Sequence, residues 1–401
     1  MVKDLFKRSG LYSICLIIGK LTTVTILIYL ARQLQPRIFG DLILYTALAQ
    51  LVIFFSDFGL NQWYMKQADQ QDKRQLFNQV FYTRLTTLLP AIIFSIIFLI
   101  GTKSFSFVLS IIFVLSLVPG ALLSIIDGYY LERKEPVKVA AKEIIRNVFF
   151  IYFFFRKNLG LEEIFVVYLV ANLFNLAILF PWFTINLKKG FNYFHPLQTL
   201  KKSFPYGLLM LTSYFYARGD HLVIKYRLNS VALGLYGAAY RYLEAISLIP
   251  TALTHNLFPL SAKKEGIKLG SIVKIMAAMV ILGLITMIVL YYCSVLLIIN
   301  LIGNAYLGAV LPLRIFSMVV FFFFVNAPLS TLVQSSSILK KFLPFGIGNT
   351  ILNLILNIVF VPKFGIAAAA WVMLTTEITG LFINVYFVKS LYLKKTNEKI
   401  N

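Results

Sequence analysis

The residues of this chain that could do chemistry are charges set inside apolar runs. Tyr214, Arg218, His221 and Lys225 follow i, i+4, i+7 and i+11, the spacing of one helix face. Gly237, Arg241, Glu244, Thr251 and His255 line one face of the next apolar run, and Lys20, Arg314 and Glu377 stand in three others. An ion at the centre of a bilayer costs at least about 2.5–3.5 kcal/mol, so such groups face a polar cavity or a partner. Three cationic or potentially cationic groups on the 214–225 face cannot neutralise one another. That face suits a water-filled lumen and an anionic ligand, and arginine's planar fork matches phosphate. Arg241 and Glu244, at i, i+3, can satisfy each other within their helix, which leaves a structural ion pair as an equal reading. Asp220 lies about 200° around the helix from Arg218 and points elsewhere. With Glu244 and Glu377 it is a candidate for ion coupling or for tuning the field. Asp57 and Asp127 stand near span ends and read as interfacial caps. Among the three histidines His195 is placed in a solvated loop, and none forms a metal cluster or a catalytic triad with its neighbours. Cys15 and Cys293 lie far apart without metal-ligand spacing, and no P-loop pattern occurs. No cofactor, metal or catalytic residue is expected, and the chain reads as something other than an enzyme.

The elements that must position these charges follow from composition. The 401 residues are 59% hydrophobic, 15% aromatic and only 13% charged, too apolar to cover a soluble surface. This excludes a cytosolic enzyme, a disordered protein and a disulfide-stapled secreted domain. Twelve segments are long and apolar enough to span a bilayer: roughly 10–32, 38–63, 79–102, 105–130, 140–156, 163–186, 205–227, 231–259, 272–299, 306–334, 343–361 and 366–388. No stretch is left for a soluble domain. The first run is too long for a signal-peptide core and is followed by no cleavage pattern, so it reads as a retained helix. The net charge of +22 would suggest nucleic acid in a soluble protein. Here most of it reads as topogenic, and no nucleic-acid partner is expected. With the N-terminus inside, cytoplasmic segments carry 24 Lys and Arg against seven outside, which places both termini in the cytoplasm. Seven cations remain within spans: Lys20, Arg84, Arg146, Arg218, Lys225, Arg241 and Arg314. Arg84, Arg146 and Lys225 are near enough to span ends to snorkel. Aromatics near span ends, such as Trp63, Tyr64, Tyr129, Tyr130, Tyr291 and Tyr292, fit interfacial belts.

The chain also carries a faint repeat. RQLQPRIFGDLILY after the first span and YRLNSVALGLYGAAY after the seventh share L-x5-G, with Leu34 and Gly40 in one and Leu228 and Gly234 in the other. NLGLEE at 158–163 and KFGIAA at 363–368 echo each other more weakly. The expected architecture is all-α and polytopic. About twelve helices form two six-helix lobes, 1–204 and 205–401, related by a pseudo-two-fold repeat, with the substrate path between them. Pro90, Pro119, Pro250, Pro312 and Pro328 read as interruptions of spans, tolerated as static kinks.

The run Ala31 to Trp63 resembles the N-terminal signature of polysaccharide-biosynthesis flippases, in which an A-R-x-L-x-P-x-x-F-G turn precedes a helix ending in D-F-G-L. The matching residues are Ala31, Arg32, Leu34, Pro36, Phe39, Gly40, Asp57, Phe58, Gly59 and Leu60. LNSVALGLYGAAYR (228–241) is similar to the family's loop and G-x-Y-x-A-A stretch, where Gly234 stands. Residues 349–371 are similar to its N-x3-N-x4-P-x2-G segment, with Asn353, Asn357, Pro362 and Gly365. The resemblance spans about the whole chain and points to the multidrug/oligosaccharidyl-lipid/polysaccharide exporter superfamily, most closely to O-antigen (Wzx-type) flippases. It implies two six-helix lobes around a central cationic cavity in the bacterial inner membrane. Such proteins move an undecaprenyl-pyrophosphate-linked repeat unit from the cytoplasmic to the periplasmic leaflet. Lys20, Arg218, His221, Lys225, Arg241 and Arg314 would then line the path of a polyprenyl-linked anionic glycolipid. Membrane lipids, a polysaccharide polymerase and a chain-length regulator would be its partners. Pro36, Gly40, Asp57, Gly59, Gly234, Pro362 and Gly365 would be structural turn residues. Lipid II flippases of the superfamily usually carry fourteen helices, against the twelve counted here. A drug or metabolite antiporter of the same superfamily is the alternative, although a cavity for cationic drugs should be lined by acids. The loops are too short for a membrane-embedded glycosyltransferase. The G-x3-D-[RK] loop of major-facilitator carriers is replaced by NQWYMKQADQQDKR.

Overall fold

The computed structural model describes residues 2–67, 72–101, 106–133, 135–180, 196–255, 269–336 and 338–400. His195 lies outside them. The described residues form helices and no strand. The α-helices are α1 (Val2–Gln33), α2 (Pro36–Asp57), α3 (Leu60–Gln67), α4 (Lys73–Gly101), α5 (Phe107–Leu123), α6 (Ile125–Glu132), α7 (Pro136–Phe150), α8 (Leu161–Leu179), α9 (Pro196–Arg227), α10 (Ser230–His255), α11 (Leu269–Leu297), α12 (Val310–Gln334) and α13 (Leu339–Ile400). Among the described residues, seven stretches are long and apolar enough to cross a membrane, one of them the 51-residue run Lys341–Leu391. That run is broken at Gly365, whose φ of 70° and ψ of −158° end one helix and start another. Its two parts match the expected spans 343–361 and 366–388. The interiors of α9 and α10 instead carry Arg218, Asp220, Arg241 and Glu244.

Three expectations need correction. Pro312 does not interrupt its helix: it sits in the first turn of α12, where a missing N–H costs no ladder bond. Conversely, Pro205 lies inside α9, which starts at Pro196 rather than near 205. Its first turns carry Lys201 and Lys202, so hydropathy alone does not find them. Arg84 does not snorkel. It is completely buried, ion-paired with Asp57, and donates to the Ala121 carbonyl (3.1 Å) and to Ser124 Oγ.

The chain divides into two compact units, Met1–Leu34 with Asp41–Leu222, and Gln35–Gly40 with Val223–Asn401. In the first, α1 packs on α7, α7 on α8, and α5 on α8. Tyr45, Phe113 and Phe165 fill its middle, with ring centroids 4.9–5.6 Å apart. Near the α3–α6 contact a second cluster joins Trp63, Tyr64, Phe77, Ile126, Tyr129 and Phe180. In the second unit α12 packs against α10, α11 and α13, around Tyr236, Tyr240 and Phe316.

Large apolar side chains face outward in helical stripes. Leu89, Ile93, Ile97 and Ile100 line one face of α4, and Ile281, Ile285, Ile288 and Tyr292 one face of α11; all are exposed. Asn78, Ser95, Ser116, Asn172 and Asn175 are buried. Apolar groups outside and polar groups inside invert the soluble pattern and suit a hydrocarbon solvent, in which buried polar groups must find partners within the protein.

Two close backbone approaches fix the elements that carry the site. In the second unit the first turn of α2 crosses the first turn of α10. A Cβ at Gly40 would lie 1.8 Å from the Ser230 carbonyl oxygen, and one at Gly234 would lie 1.9 Å from that of Pro36. The L-x5-G repeat thus meets itself, each glycine against the residue four before the other. In the first unit α2 ends at a bend formed by Phe58 (φ 39°) and Gly59 (φ 78°), both left-handed. A Cβ on Gly59 would lie 2.4 Å from the Gly207 nitrogen of α9. Asp57 caps the far side of the bend by accepting from the Asn61 amide (3.2 Å) while it pairs with Arg84.

Candidate functional site

The docking of α9 onto α2 places the first group of charges. Below Gly207, Tyr214 Oη donates to the Ala47 carbonyl (2.9 Å), and one turn on Arg218 Nε donates to Gln50 Oε1 (3.1 Å). Arg218 Nη1 stands 3.5 Å from His221 Nε2, and His221 Nδ1 is 2.6 Å from Asp220 Oδ1. The same carboxylate oxygen accepts from the His221 amide at 2.7 Å. A guanidinium only donates, so this arrangement assigns the proton to Nδ1, which donates to Asp220, and makes Nε2 the acceptor facing Arg218. His221 therefore stands between Arg218 and the Asp220 carboxylate, within reach of both. All three side chains are buried. Asp220, about 200° away from Arg218 on an ideal wheel, reaches the group because its sequence neighbour His221 turns back to it.

The second unit holds all the remaining charges but Lys20, each with a local partner. Lys225 is buried at the end of α9 and donates to Ser230 Oγ. Lys225 and Arg227 complement the negative end of that helix. Arg241 is buried and paired with Glu244 at i, i+3, the pair that the spacing allowed. Arg314 is half-buried, donates from Nε to Ser294 Oγ (3.1 Å) and lies 5.4 Å from the Tyr291 ring. Glu377 is buried, and its carboxylate accepts from Asn326 Nδ2 (3.0 Å), whose own Oδ1 accepts from Asn384 (3.3 Å). Lys20 is exposed on α1 in the first unit.

The partners Gln50, Ser230, Asn326 and Asn384 carry no charge and escape a search for ions. A signal does exist near Asn326 and Asn384. Asn349, Asn353 and Asn357 recur at i, i+4, i+8 on one face of α13. Asn349 donates to the Thr376 carbonyl and Asn353 to Thr376 Oγ1, both at 3.0 Å, and Asn357 bonds back to Asn353. These bonds join the two parts of α13 across the Gly365 break, so Asn353 and Asn357 are fold glue of the kind that polar residues supply between membrane helices. Among the described residues, no three His, Cys, Asp or Glu side chains are grouped to hold a metal ion.

Solved structures titled as transporters share this fold. The fold matches a structure titled lipid II flippase MurJ, inward closed conformation, with a TM-score of 0.75 at 14% identity, covering 94% of this chain and 87% of that one. It also matches an inward-facing multidrug resistance MATE family transporter of the MOP superfamily (TM-score 0.70, 10% identity, 95% and 98% covered). A third match is the eukaryotic MATE transporter AtDTX14 (TM-score 0.58, 11% identity, 96% of each chain). This is a multi-pass membrane protein of the flippase and transporter fold. Residues 5–265 match the polysaccharide biosynthesis protein family, and the chain belongs to that family. No curated protein sequence matches it significantly.

Proposed function

We propose that this protein is a flippase for undecaprenyl-pyrophosphate-linked oligosaccharide repeat units of an O-antigen or similar surface polysaccharide. It would move them from the cytoplasmic to the outer leaflet of a bacterial inner membrane. The observation that carries the reading is the buried cation series on α9 and the next helix: Arg218, Lys225 and Arg241. Arg241 is already paired with Glu244, so the reading leans on Arg218 and Lys225, and holding these cations out of water favours an anionic cargo. Arg218 is held by Gln50 and stands beside the His221–Asp220 pair, and its planar guanidinium has the geometry that matches phosphate. Lys20 and Arg314 would extend the attraction towards the entrance and exit. The sugar and pyrophosphate would cross while the polyprenyl tail stays in lipid, and rocking of the two halves of the chain would alternate access. Asp220, Glu244 and Glu377 would tune the field or couple an ion. A polymerase and a chain-length regulator would receive the flipped unit.

Glu377 favours a second reading. A buried carboxylate held by Asn326 suits proton or sodium coupling in a drug or metabolite antiporter. Deleting the gene and extracting polyprenyl-linked sugars for mass spectrometry separates the two. The flippase reading expects lost surface polysaccharide and repeat unit stalled on its carrier. Unchanged polysaccharide without a stalled intermediate, in a host lacking a second flippase, would overturn it and point to efflux.

A further inference from the structure

Gln50 is an uncharged residue in a setting that packing does not explain. From Phe39 to Phe58 every residue of α2 is buried or half-buried except Gln50, which is exposed. It stands near the middle of the 32-residue membrane-crossing run Pro36–Gln67, about 20 Å along the helix from its start. A carboxamide bared to hydrocarbon there would leave its donors unsatisfied, so Gln50 opens onto a polar space. Its face of α2 is set against α9 in a fixed register. Tyr214 Oη donates to the Ala47 carbonyl (2.9 Å), and the rings of Tyr214 and Phe54 lie with centroids 5.5 Å apart. Ala47 and Phe54 flank Gln50 at i−3 and i+4, which keeps it level with Arg218, one turn beyond Tyr214. The contact with Arg218 then orients the amide. Arg218 Nε donates to Gln50 Oε1 at 3.1 Å, and a guanidinium accepts nothing in return. The amide oxygen therefore faces Arg218 and the Nε2 amino group faces away. Among the described residues, Nε2 has no hydrogen-bond partner.

We propose that Gln50 is a specificity-determining contact: Oε1 holds the Arg218 guanidinium while Nε2 donates to the phosphate that Arg218 meets. The inference deepens the flippase reading and rests on it. An amide N–H₂ beside a guanidinium offers donors alone, which suits an acceptor-only group such as an oxyanion and disfavours a cation. The holder is also uncharged, so it orients Arg218 without neutralising it, as a glutamate at the same place would. Depth selects the source of the oxyanion. Phosphates of resting bilayer lipids stay outside the hydrocarbon core, and only a head group on its way across reaches the middle of α2.

The test measures equilibrium binding to the full chain in phosphatidylcholine nanodiscs, with binding to empty nanodiscs subtracted. The probes are geranylgeranyl diphosphate, geranylgeraniol and inorganic pyrophosphate. Gln50→Met keeps the length of the side chain and removes both polar atoms. Gln50→Glu keeps an oxygen for Arg218 Nε and replaces the amino group by negative charge. The wild-type chain should bind the lipid diphosphate more tightly than the alcohol. Gln50→Met should weaken diphosphate binding about tenfold and Gln50→Glu by more, with the alcohol unchanged in both. A residue that only supports the fold would shift diphosphate and alcohol together. That result, or a diphosphate affinity unmoved by Gln50→Glu, overturns the role of Gln50. If Gln50→Met, which leaves Arg218 Nε without its acceptor, does not fold, Gln50→Glu decides the matter. Inorganic pyrophosphate should bind more weakly than the lipid diphosphate, and the reverse order would assign Gln50 to a soluble anion and overturn the inference. Movement of lipid-linked sugar by the wild type, with variants that bind as it does, overturns the role of Gln50 alone. A wild-type chain that binds the diphosphate no better than the alcohol and moves no lipid-linked sugar overturns the flippase reading itself.

Discussion

Two arginines show how differently the same side chain can be used. Arg84 is completely buried and tied to Asp57, Ser124 and the Ala121 carbonyl, so its role is to hold α2, α4 and the α5–α6 joint together. Removing one partner of a buried pair leaves an uncompensated charge and costs about 3–5 kcal/mol. Arg84→Ala and Asp57→Asn should each lower the detergent-solubilised melting temperature and the membrane protein level. The double variant Asp57→Asn with Arg84→Met should recover part of both. Arg218 is instead held by Gln50 and stands beside His221 Nε2. Arg218→Ala should leave protein level near normal and reduce flipping at least about tenfold, the worth of one charge-assisted hydrogen bond to phosphate. Arg218→Lys should restore only part, because a point charge lacks the fork. Full transport by Arg218→Ala at normal protein level would sink the cationic path. Sequence spacing singled out Arg218 because Tyr214, His221 and Lys225 share its helix face, but its holder Gln50 lies on α2 and leaves no such period. It misplaced Arg84 because the deciding partner, Asp57, lies on another helix, and no period within α4 encodes that distance.

At the scale of elements, helix starts and breaks were legible wherever backbone chemistry dictates them. Pro36 opens α2, and Gly365 splits α13 within the turn expected from the PKFG segment. The L-x5-G match was visible as a repeat, but its cause was not. Sequence cannot show that Gly40 and Gly234 face each other's backbone. A β-carbon at either position falls within 2 Å of a carbonyl oxygen, and backbone cannot swing aside as a side chain can. Gly40→Ala and Gly234→Ala should therefore each destabilise the protein by about 1–3 kcal/mol. Larger residues should prevent accumulation altogether. Gly101→Ala, in open space with ordinary backbone, is the control that should leave melting unchanged. The early start of α9 was missed for a related reason: its first turns hold Lys201 and Lys202, and a hydropathy window ends where an interfacial helix continues.

At the scale of the whole molecule, the bilayer acts as the solvent and orients the chain. The stripes on α4 and α11 need hydrocarbon around them, and the lysines and arginines that flank the helices choose a side. The 24-to-7 bias predicts that Lys138 lies inside and Arg156 outside, although only the short helix α7 and one 3₁₀ turn, Ile151–Phe155, separate them. Both are well exposed. Lys138 pairs with Glu135 at 2.5 Å, and Arg156 Nε donates to Glu163 Oε1 at 3.0 Å. Contact with these carboxylates raises each cation above its ordinary pKa, so both stay charged throughout the physiological range and keep their topogenic value. With Cys15 and Cys293 replaced by serine, a cysteine at 156 should react with a membrane-impermeant maleimide in right-side-out vesicles. A cysteine at 138 should react only after the vesicles are inverted or permeabilised. The opposite pattern would place both termini outside. It would also move Lys66, Lys201 and Lys202 to the other side of the membrane, so the proposed anionic cargo would meet them from the opposite leaflet.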